Sequence, residues 1–189
     1  MATGSPFTFL FGSAFPYIFA KSHETWGWRM QSFPGEEVKM GQKVAIIFYS
    51  ATGNTEAMAE AVAVGAKKAG ADVLLAPVSD VDPVEIGNTC HRIILGCSAW
   101  GVEVIEEAQM KPFCDKLKPY LKGKIMGIFG SCGWSRGAWL NSWYNELHFA
   151  GARFPAHPLL AYGYPDETAL KNCEELGKAV AEAEDEFSD

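Results

Sequence analysis

The residues best suited to chemistry stand together in one short segment, residues 50–55, which reads Ser-Ala-Thr-Gly-Asn-Thr. It follows directly on a strand-like apolar run at 43–49, and a helix-like pattern begins at once after it. Hydroxyl groups and the unpaired N–H groups of a helix start favour an anion, and the helix dipole adds partial positive charge there. The segment therefore indicates a phosphate-binding loop, although a Ser/Thr-capped helix without any ligand has the same pattern.

The absence of lysine from this loop restricts the kind of phosphate that it suits. A loop that handles nucleoside triphosphates carries Lys followed by Ser or Thr, because several negative charges and a metal ion must be balanced. Residues 50–55 contain no lysine. They suit one terminal phosphate monoester, as on a mononucleotide cofactor.

Apolar strand-length runs alternate with helical patterns from Lys43 onward, which predicts a parallel sheet covered by helices on both faces. The predicted strands are 43–49, 72–78, 91–96, 124–129 and a stretch within 152–161, and the predicted helices are 54–69, 104–119, 136–149 and 165–185. The second strand contains Pro77 and the fifth contains Pro155 and Pro158, which favours the two edges of the sheet. The order 2-1-3-4-5 satisfies this condition and gives a doubly wound α/β fold, whose ligands bind at the carboxyl ends of the strands.

Two further loops meet at that edge. Residues 97–103 after the third strand read Cys-Ser-Ala-Trp-Gly-Val-Glu, and residues 130–139 after the fourth strand include Gly133 and Trp134. A tryptophan in a loop can equally be partial core or a surface staple. Beside a phosphate site, however, Trp100 and Trp134 suggest opposite walls of a slot for a flat ring.

Residues from about 40 to 186 resemble flavodoxin, the small FMN-carrying electron-transfer protein, in its short-chain, clostridial type. The resemblance is carried by residues 50–55, 95–103 and 129–134 and by Tyr164-Pro165-Asp166. It implies the five-stranded flavodoxin-like fold. It also implies a low-potential one-electron carrier that shuttles non-covalently bound FMN between its semiquinone and hydroquinone.

The resemblance further implies which residues bind the cofactor: Ser50, Thr52, Gly53, Asn54, Thr55, Ser98, Ala99, Trp100, Gly101, Glu103, Ser131, Gly133 and Trp134. The first loop and Ser98 would hold the phosphate of FMN. Trp100 would cover the inner flavin face and Trp134 the outer face. Glu103 would accept a hydrogen bond from flavin N3–H, and the carbonyl of Gly101 would accept the proton that N5 gains on reduction, since a glycine peptide reorients at low cost.

Two positions depart from the family's pattern. Val102 and Ser135-Arg136 stand where relatives often carry acids. Both departures remove negative charge near the flavin, and Arg136 adds positive charge. We therefore expect the hydroquinone to be less disfavoured here than in relatives with acids at both positions.

Net charge restricts the partners of the protein, and cysteine content restricts its compartment. The net charge is −7, and all of it belongs to the chain after residue 39, because the first 39 residues carry three basic and three acidic groups. This disfavours nucleic acid and anionic membranes and favours basic-surfaced redox proteins, namely a flavodoxin reductase or oxidoreductase as donor and an acceptor enzyme. Five cysteines without a Cys-x-x-Cys pair fit a reducing compartment. We expect a cytoplasmic monomer without metal.

Residues 1–39 fall outside the resemblance. Their apolar, aromatic stretch at 7–20 is too short to span a bilayer, which needs about 20 residues. Residues 1–6 contain no Lys or Arg, which a signal peptide would require. We expect this segment to be disordered or a mis-assigned upstream start, and residues 40–189 to form the FMN-binding domain.

Two other functions remain open at this stage. One is an FMN-dependent quinone or nitro reductase on the same fold, and the other is a non-redox binding module. The sequence offers no acid–base or nucleophilic constellation, and Cys97 and Cys132 are best interpreted as small packing groups. Glu106 and Glu107 lie on the predicted helix 104–119 and are candidates for docking a basic partner.

Overall fold

The structure is a computed structural model that describes residues 17–22, 25–30, 42–101, 104–134 and 137–185. The chain divides into two compact units, residues 1–40 and 41–189, and each is described by itself. In the first unit, strands β1 (Tyr17–Ser22) and β2 (Thr25–Met30) pair antiparallel. The expectation for residues 1–39 concerns a segment of which these two strands alone are described, and it stays a prediction.

The second unit is a five-stranded parallel sheet with helices between the strands. Its elements in chain order are β3 (Lys43–Tyr49), α1 (Asn54–Lys68), β4 (Asp72–Pro77), α2 (Pro83–Thr89), β5 (Arg92–Ser98), α3 (Met110–Leu117), β6 (Ile125–Cys132), α4 (Ala138–Phe149), β7 (Leu159–Tyr162) and α5 (Glu167–Glu182). The strands lie in the order β4-β3-β5-β6-β7, and every neighbouring pair is parallel. The predicted order 2-1-3-4-5 is confirmed. Within the described residues, no helix has the length and apolarity needed to cross a bilayer.

The core lies on both faces of this sheet, because the central strands are apolar at consecutive positions and so have no solvent face. Alternate residues of β3, such as Val44 and Ile46, pack under α1 and α5. The residues between them, such as Ala45 and Ile47, pack under α3 and α4. The helices therefore fix the sheet from both sides and leave its carboxyl edge for the loops.

Two glycines allow α1 and α5 to pack with their backbones in contact. A Cβ placed at Gly65 would lie 1.8 Å from the carbonyl oxygen of Glu174, and one at Gly177 would lie 2.0 Å from that of Val62. Since such distances are far below van der Waals contact, a larger residue at either position would push the helices apart. These contacts fix the position of α1 on the sheet.

The helices differ from the prediction in two places. The sequence prediction has no helix between β4 and β5, where the structure has α2. Its signals are Asp82, whose carboxylate accepts from the N–H groups of Val84 and Glu85, and Pro83 at the first helical position. The helix predicted to begin at residue 104 begins at Met110, because residues 104–109 return from the loop after β5 and are held there by Glu106.

The strand ends differ as well. β5 and β6 run two and three residues further than predicted, so that Ser98 and Ser131 lie on strands rather than in loops. The fifth strand was predicted within 152–161 and with Pro155 and Pro158 inside it, whereas β7 spans Leu159–Tyr162. The prediction that the strand contains these two prolines is therefore wrong, since both precede Leu159. The edge position of β7 is nevertheless as predicted.

Candidate functional site

Three serines form a row across the carboxyl ends of three adjacent strands. Ser98 on β5 is the register partner of Ser131 on β6. Tyr49 pairs with Cys97, so Ser50, the next residue after β3, lies beside Ser98. Because side chains alternate along a strand, these serines share the sheet face on which α1 packs. We call Ser50, Ser98 and Ser131 the serine row.

The start of α1 faces this row. Gly53 caps the helix with a φ of 86°, a left-handed conformation that a side chain would strain. The Ser50 hydroxyl oxygen accepts from the N–H groups of Gly53, at 3.1 Å, and Glu56, at 3.2 Å. Among the described residues, no group accepts from the N–H of Asn54 or Thr55. These amides are the donors that a helix start offers to an anion.

The hydroxyl of Thr55, in the first turn of α1, is connected directly to the serine row. Thr55 is completely buried, and its Oγ1 lies 2.8 Å from Ser131 Oγ, a hydrogen bond between residues 76 positions apart. Ser98 Oγ is buried as well, but it has no hydrogen-bond partner within the described part of the chain. A buried hydroxyl without a partner costs free energy, which a ligand accepting from it would recover.

The loop after β5 is folded back on itself and presents Trp100. The N–H of Trp100 donates to Val104 O at 2.9 Å, and the N–H of Val104 donates to Trp100 O at 3.0 Å. Between them, Gly101 has a φ of 55°, and a Cβ built there would meet nothing within 4 Å. Trp100 is 50% exposed and meets Tyr49 edge to face, with ring centroids 6.4 Å apart. Tyr49 thus supports the indole. The sequence analysis missed it, although an aromatic residue at a strand end was the available signal.

The loop after β6 presents the second tryptophan. Trp134 is 73% exposed, and Gly133 beside it is exposed too. Upstream, a Cβ at Gly130 would lie 2.6 Å from the Trp139 ring and 2.7 Å from Cys97 O, so only glycine fits there. The two loops are joined by the N–H of Ala99, which donates to Ser131 O at 2.8 Å.

Burial settles the roles of two groups near the site. Burial raises the pKa of the Cys97 thiol to about 12, so the thiol is neutral at physiological pH and serves for packing. Glu106 is 4% exposed, and its carboxylate accepts from the N–H groups of Ala108, Gln109 and Met110 at 2.8–2.9 Å. The prediction of Glu106 as a docking residue is therefore wrong, because the carboxylate caps α3. Glu107 is exposed.

The structure places most of the predicted site residues in one region. It brings the first loop, Ser98, Ala99, Trp100, Gly101, Ser131, Gly133 and Trp134 to the same end of the sheet. Thr52 is exposed in the first loop, and Asn54 is half-buried at the helix start. Glu103, Val102, Ser135 and Arg136 lie outside the described residues.

The fold and this edge together define a class of protein. A doubly wound parallel sheet binds its ligands at the carboxyl ends of the strands, where the strand order reverses. Here that point lies between β3 and β5, beneath the serine row and the start of α1. Over the described ranges, no group of three or more His, Cys, Asp or Glu side chains is placed to hold a metal ion. The molecule is a mononucleotide-binding α/β protein of flavodoxin-like fold.

Comparison with known proteins specifies the family. The family model for flavodoxin matches residues 46–177. The chain is 40% identical to the flavodoxin of Clostridium beijerinckii, over 72% of this chain and 97% of that protein, and 39% identical to the flavodoxin of Megasphaera elsdenii, over 74% and 99%. The solution structure of two-electron reduced Megasphaera elsdenii flavodoxin aligns with a TM-score of 0.68 at 38% identity, covering 74% of this chain and 99% of that one.

The chain therefore belongs to the flavodoxin family, as the resemblance predicted. It is an electron carrier with FMN as its cofactor rather than an enzyme. The alternative of a quinone or nitro reductase is not favoured by these relatives.

Proposed function

We propose that the serine row and the start of α1 form the site for the phosphate of FMN and that Trp100 and Trp134 enclose its ring. The observation that carries this proposal is the buried hydroxyl of Ser98, which lies in the row without a partner. The oxygens of a phosphate monoester act as acceptors, and the Ser98 hydroxyl, the Asn54 amide and the Thr55 amide are donors available to them. The residues present therefore fit the cofactor.

The anchor contains no cation in its own segment, residues 50–55. Hydrogen bonds from hydroxyls and amides to a charged acceptor each contribute about 1.5–3 kcal/mol, and several of them act together here. The side chains of Thr52 and Asn54 add further donors from the same loop. Gly53 contributes its left-handed turn, and its N–H donates to Ser50 Oγ. The dipole of the 15-residue α1 contributes in the same direction.

The two tryptophan loops would exclude water from the isoalloxazine ring of FMN. FMN, when bound, supplies reversible one-electron chemistry at its isoalloxazine ring. Trp100 and Trp134 stack on the two faces of that ring, Ala99 leaves space beside it, and Gly133 lets the second loop approach closely. With FMN bound, the carbonyl of Gly101 would accept a hydrogen bond from flavin N5–H, and Glu103 would accept one from N3–H. The φ of 55° at Gly101 supports this role, because glycine adopts such backbone conformations and reorients between them at low cost.

The partner proteins we infer carry basic docking surfaces: an oxidoreductase or a flavodoxin reductase as donor, and an acceptor enzyme. The net charge of −7 supports this, since complementary charge speeds encounter at low ionic strength. Glu107, exposed beside the site, is available for such contacts. We propose that the protein acts in the cytoplasm as a monomer, and that residues 40–189 form the FMN-binding domain.

Titration of the apoprotein tests the phosphate site. Ser98→Ala should weaken FMN binding about 10-fold, because one charge-assisted hydrogen bond is lost, and should leave riboflavin binding unchanged. Ser142→Ala, at an exposed position on α4, is the matched control and should change neither affinity. Equal losses for FMN and riboflavin in Ser98→Ala would contradict the phosphate assignment.

A steady-state assay with NADPH tests the carrier role. The isolated protein should remain inert towards quinones and nitro compounds, and activity should appear only when a reductase is added. Turnover with NADPH alone would contradict it.

A further inference from the structure

We propose that Ser131 is a positioning residue, which turns the hydroxyl proton of Thr55 towards the phosphate of FMN without binding the cofactor itself. This inference rests on the proposed function. It starts from the 2.8 Å hydrogen bond between Thr55 Oγ1 and Ser131 Oγ, two side chains that are 0% and 4% exposed.

Counting protons shows why the direction of this bond matters. Each hydroxyl carries one proton, and either oxygen could donate in the pair. If Thr55 donates to Ser131, its proton is used and its oxygen can only repel an anion. If Ser131 donates to Thr55, the Thr55 proton remains available for a third group. A phosphate selects the second arrangement, because it offers acceptors alone.

The location of the pair leads to the same conclusion. Thr55 lies in the first turn of α1, where a helix offers its free N–H groups to an anion, whereas Ser131 lies on β6. The main chain of Ser131 is fixed by Ala99, whose N–H donates to Ser131 O, and the strand register holds its hydroxyl in place. A donor held from behind also polarises the Thr55 hydroxyl and strengthens the bond that it donates.

The serine row thus contains two kinds of member. Ser98 has a buried hydroxyl with no partner and is suited to direct contact with phosphate. Ser131 already has a partner, Thr55, which is itself one of the proposed phosphate ligands. Removing Ser98 should therefore act independently of Thr55, whereas removing Ser131 should act through it.

A double-mutant cycle on the apoprotein tests the inference, with FMN and riboflavin as the titrated ligands. Thr55→Val should weaken FMN binding about 10- to 100-fold, as expected for a hydrogen bond to a charged group. Ser131→Ala should weaken it about 3- to 10-fold, as expected for a neutral orienting hydrogen bond. In the Thr55→Val background, Ser131→Ala should have less than about a twofold effect, because no Thr55 hydroxyl remains to be oriented. Riboflavin affinity should stay unchanged throughout.

The outcomes separate the two claims. The positioning role of Ser131 would be overturned if the effects of Ser131→Ala and Thr55→Val on FMN affinity were additive, or if riboflavin affinity fell as much as FMN affinity. FMN uptake by the wild type would still uphold the proposed function in that case. Failure of the wild type to take up FMN would overturn both. Thermal melting confirms that each variant folds, and Ser131→Cys, which keeps the size but donates weakly, replaces Ser131→Ala if that variant does not fold.

Discussion

At the scale of single residues, the site depends on neutral donors rather than on cations. The serine row, Thr55 and the amides of the first helical turn supply N–H and O–H groups for a phosphate. Neutral donors would recognise the anion without offsetting its charge or the chain's net charge of −7. That charge disfavours adding a second electron to the flavin, so the composition of the anchor also favours a low potential.

Arg136 carries a positive charge, which should raise the potential for adding the second electron. Arg136→Asp changes the local charge by two units next to the Trp134 loop, and we expect the second one-electron potential to fall by tens of millivolts as a result. Spectroelectrochemical titration measures the shift. Lys122→Asp makes the same change at an exposed position before β6, at the amino edge of the sheet, and should shift the potential much less. An unchanged or raised second potential in Arg136→Asp would contradict the expectation.

At the scale of elements, Glu106 determines where α3 begins. Its carboxylate accepts from three backbone N–H groups while buried, so neutralising it weakens three charge-assisted bonds at once. We expect Glu106→Gln to lower the free energy of unfolding by about 1–3 kcal/mol. Glu107→Gln removes the same charge from an exposed neighbour and should change stability by no more than about 0.5 kcal/mol. Urea denaturation measures the free energy of unfolding of both variants. Equally small changes in the two would mean that the Glu106 carboxylate contributes nothing as the cap of α3.

The contact between α1 and α5 predicts a larger effect. Gly177→Ala places a methyl group 2.0 Å from Val62 O, and the helices must separate to admit it. We expect destabilisation of about 3 kcal/mol, with a lowered midpoint in urea. Val64→Ala, on the half-exposed side of α1, is the control and should cost less than about 1 kcal/mol. A Gly177→Ala protein of native stability would show that the two helices do not pack this closely.

The sequence could predict the elements that periodicity marks, and it could predict the site where loop chemistry is local. The predicted order of the sheet followed from the apolar central strands and from prolines near the outer ones, of which Pro77 lies in β4 and Pro155 and Pro158 precede β7. The first loop was recognisable from hydroxyls before a helix. The late start of α3 was not predictable, because it depends on a carboxylate buried by tertiary packing. The bond between Thr55 and Ser131 was equally hidden, since it joins residues 76 positions apart. The seven-residue α2 carried a visible Asp-Pro signal but was too short for its periodicity to show.

At the scale of the whole molecule, none of the five cysteines forms a disulfide, and all five are buried. Burial raises the pKa of the thiols of Cys97, Cys114 and Cys173 from 9.0 to about 12. The folded state thus holds these protons more tightly than the unfolded state does. The stability that this contributes is complete below pH 9 and is lost as the pH rises from 9 to about 12.

Reaction with a thiol-specific reagent tests directly whether the cysteines are buried. At pH 8 the native protein should react negligibly with a thiol-specific disulfide reagent, whereas the unfolded protein should release five equivalents. Replacing Cys173 by Ala should reduce the loss of stability between pH 9 and 12. Rapid modification of several thiols in the native state would contradict their burial.

The proposed function depends on every loop at once, because it requires a single flavin held by its phosphate, enclosed by two indoles and passing one electron at a time. Stepwise reduction of the purified protein with dithionite, followed by its visible spectrum, tests this requirement most directly. We predict one FMN per chain and two well-separated one-electron steps. Protein without flavin, or reduction in a single two-electron step, would contradict the account.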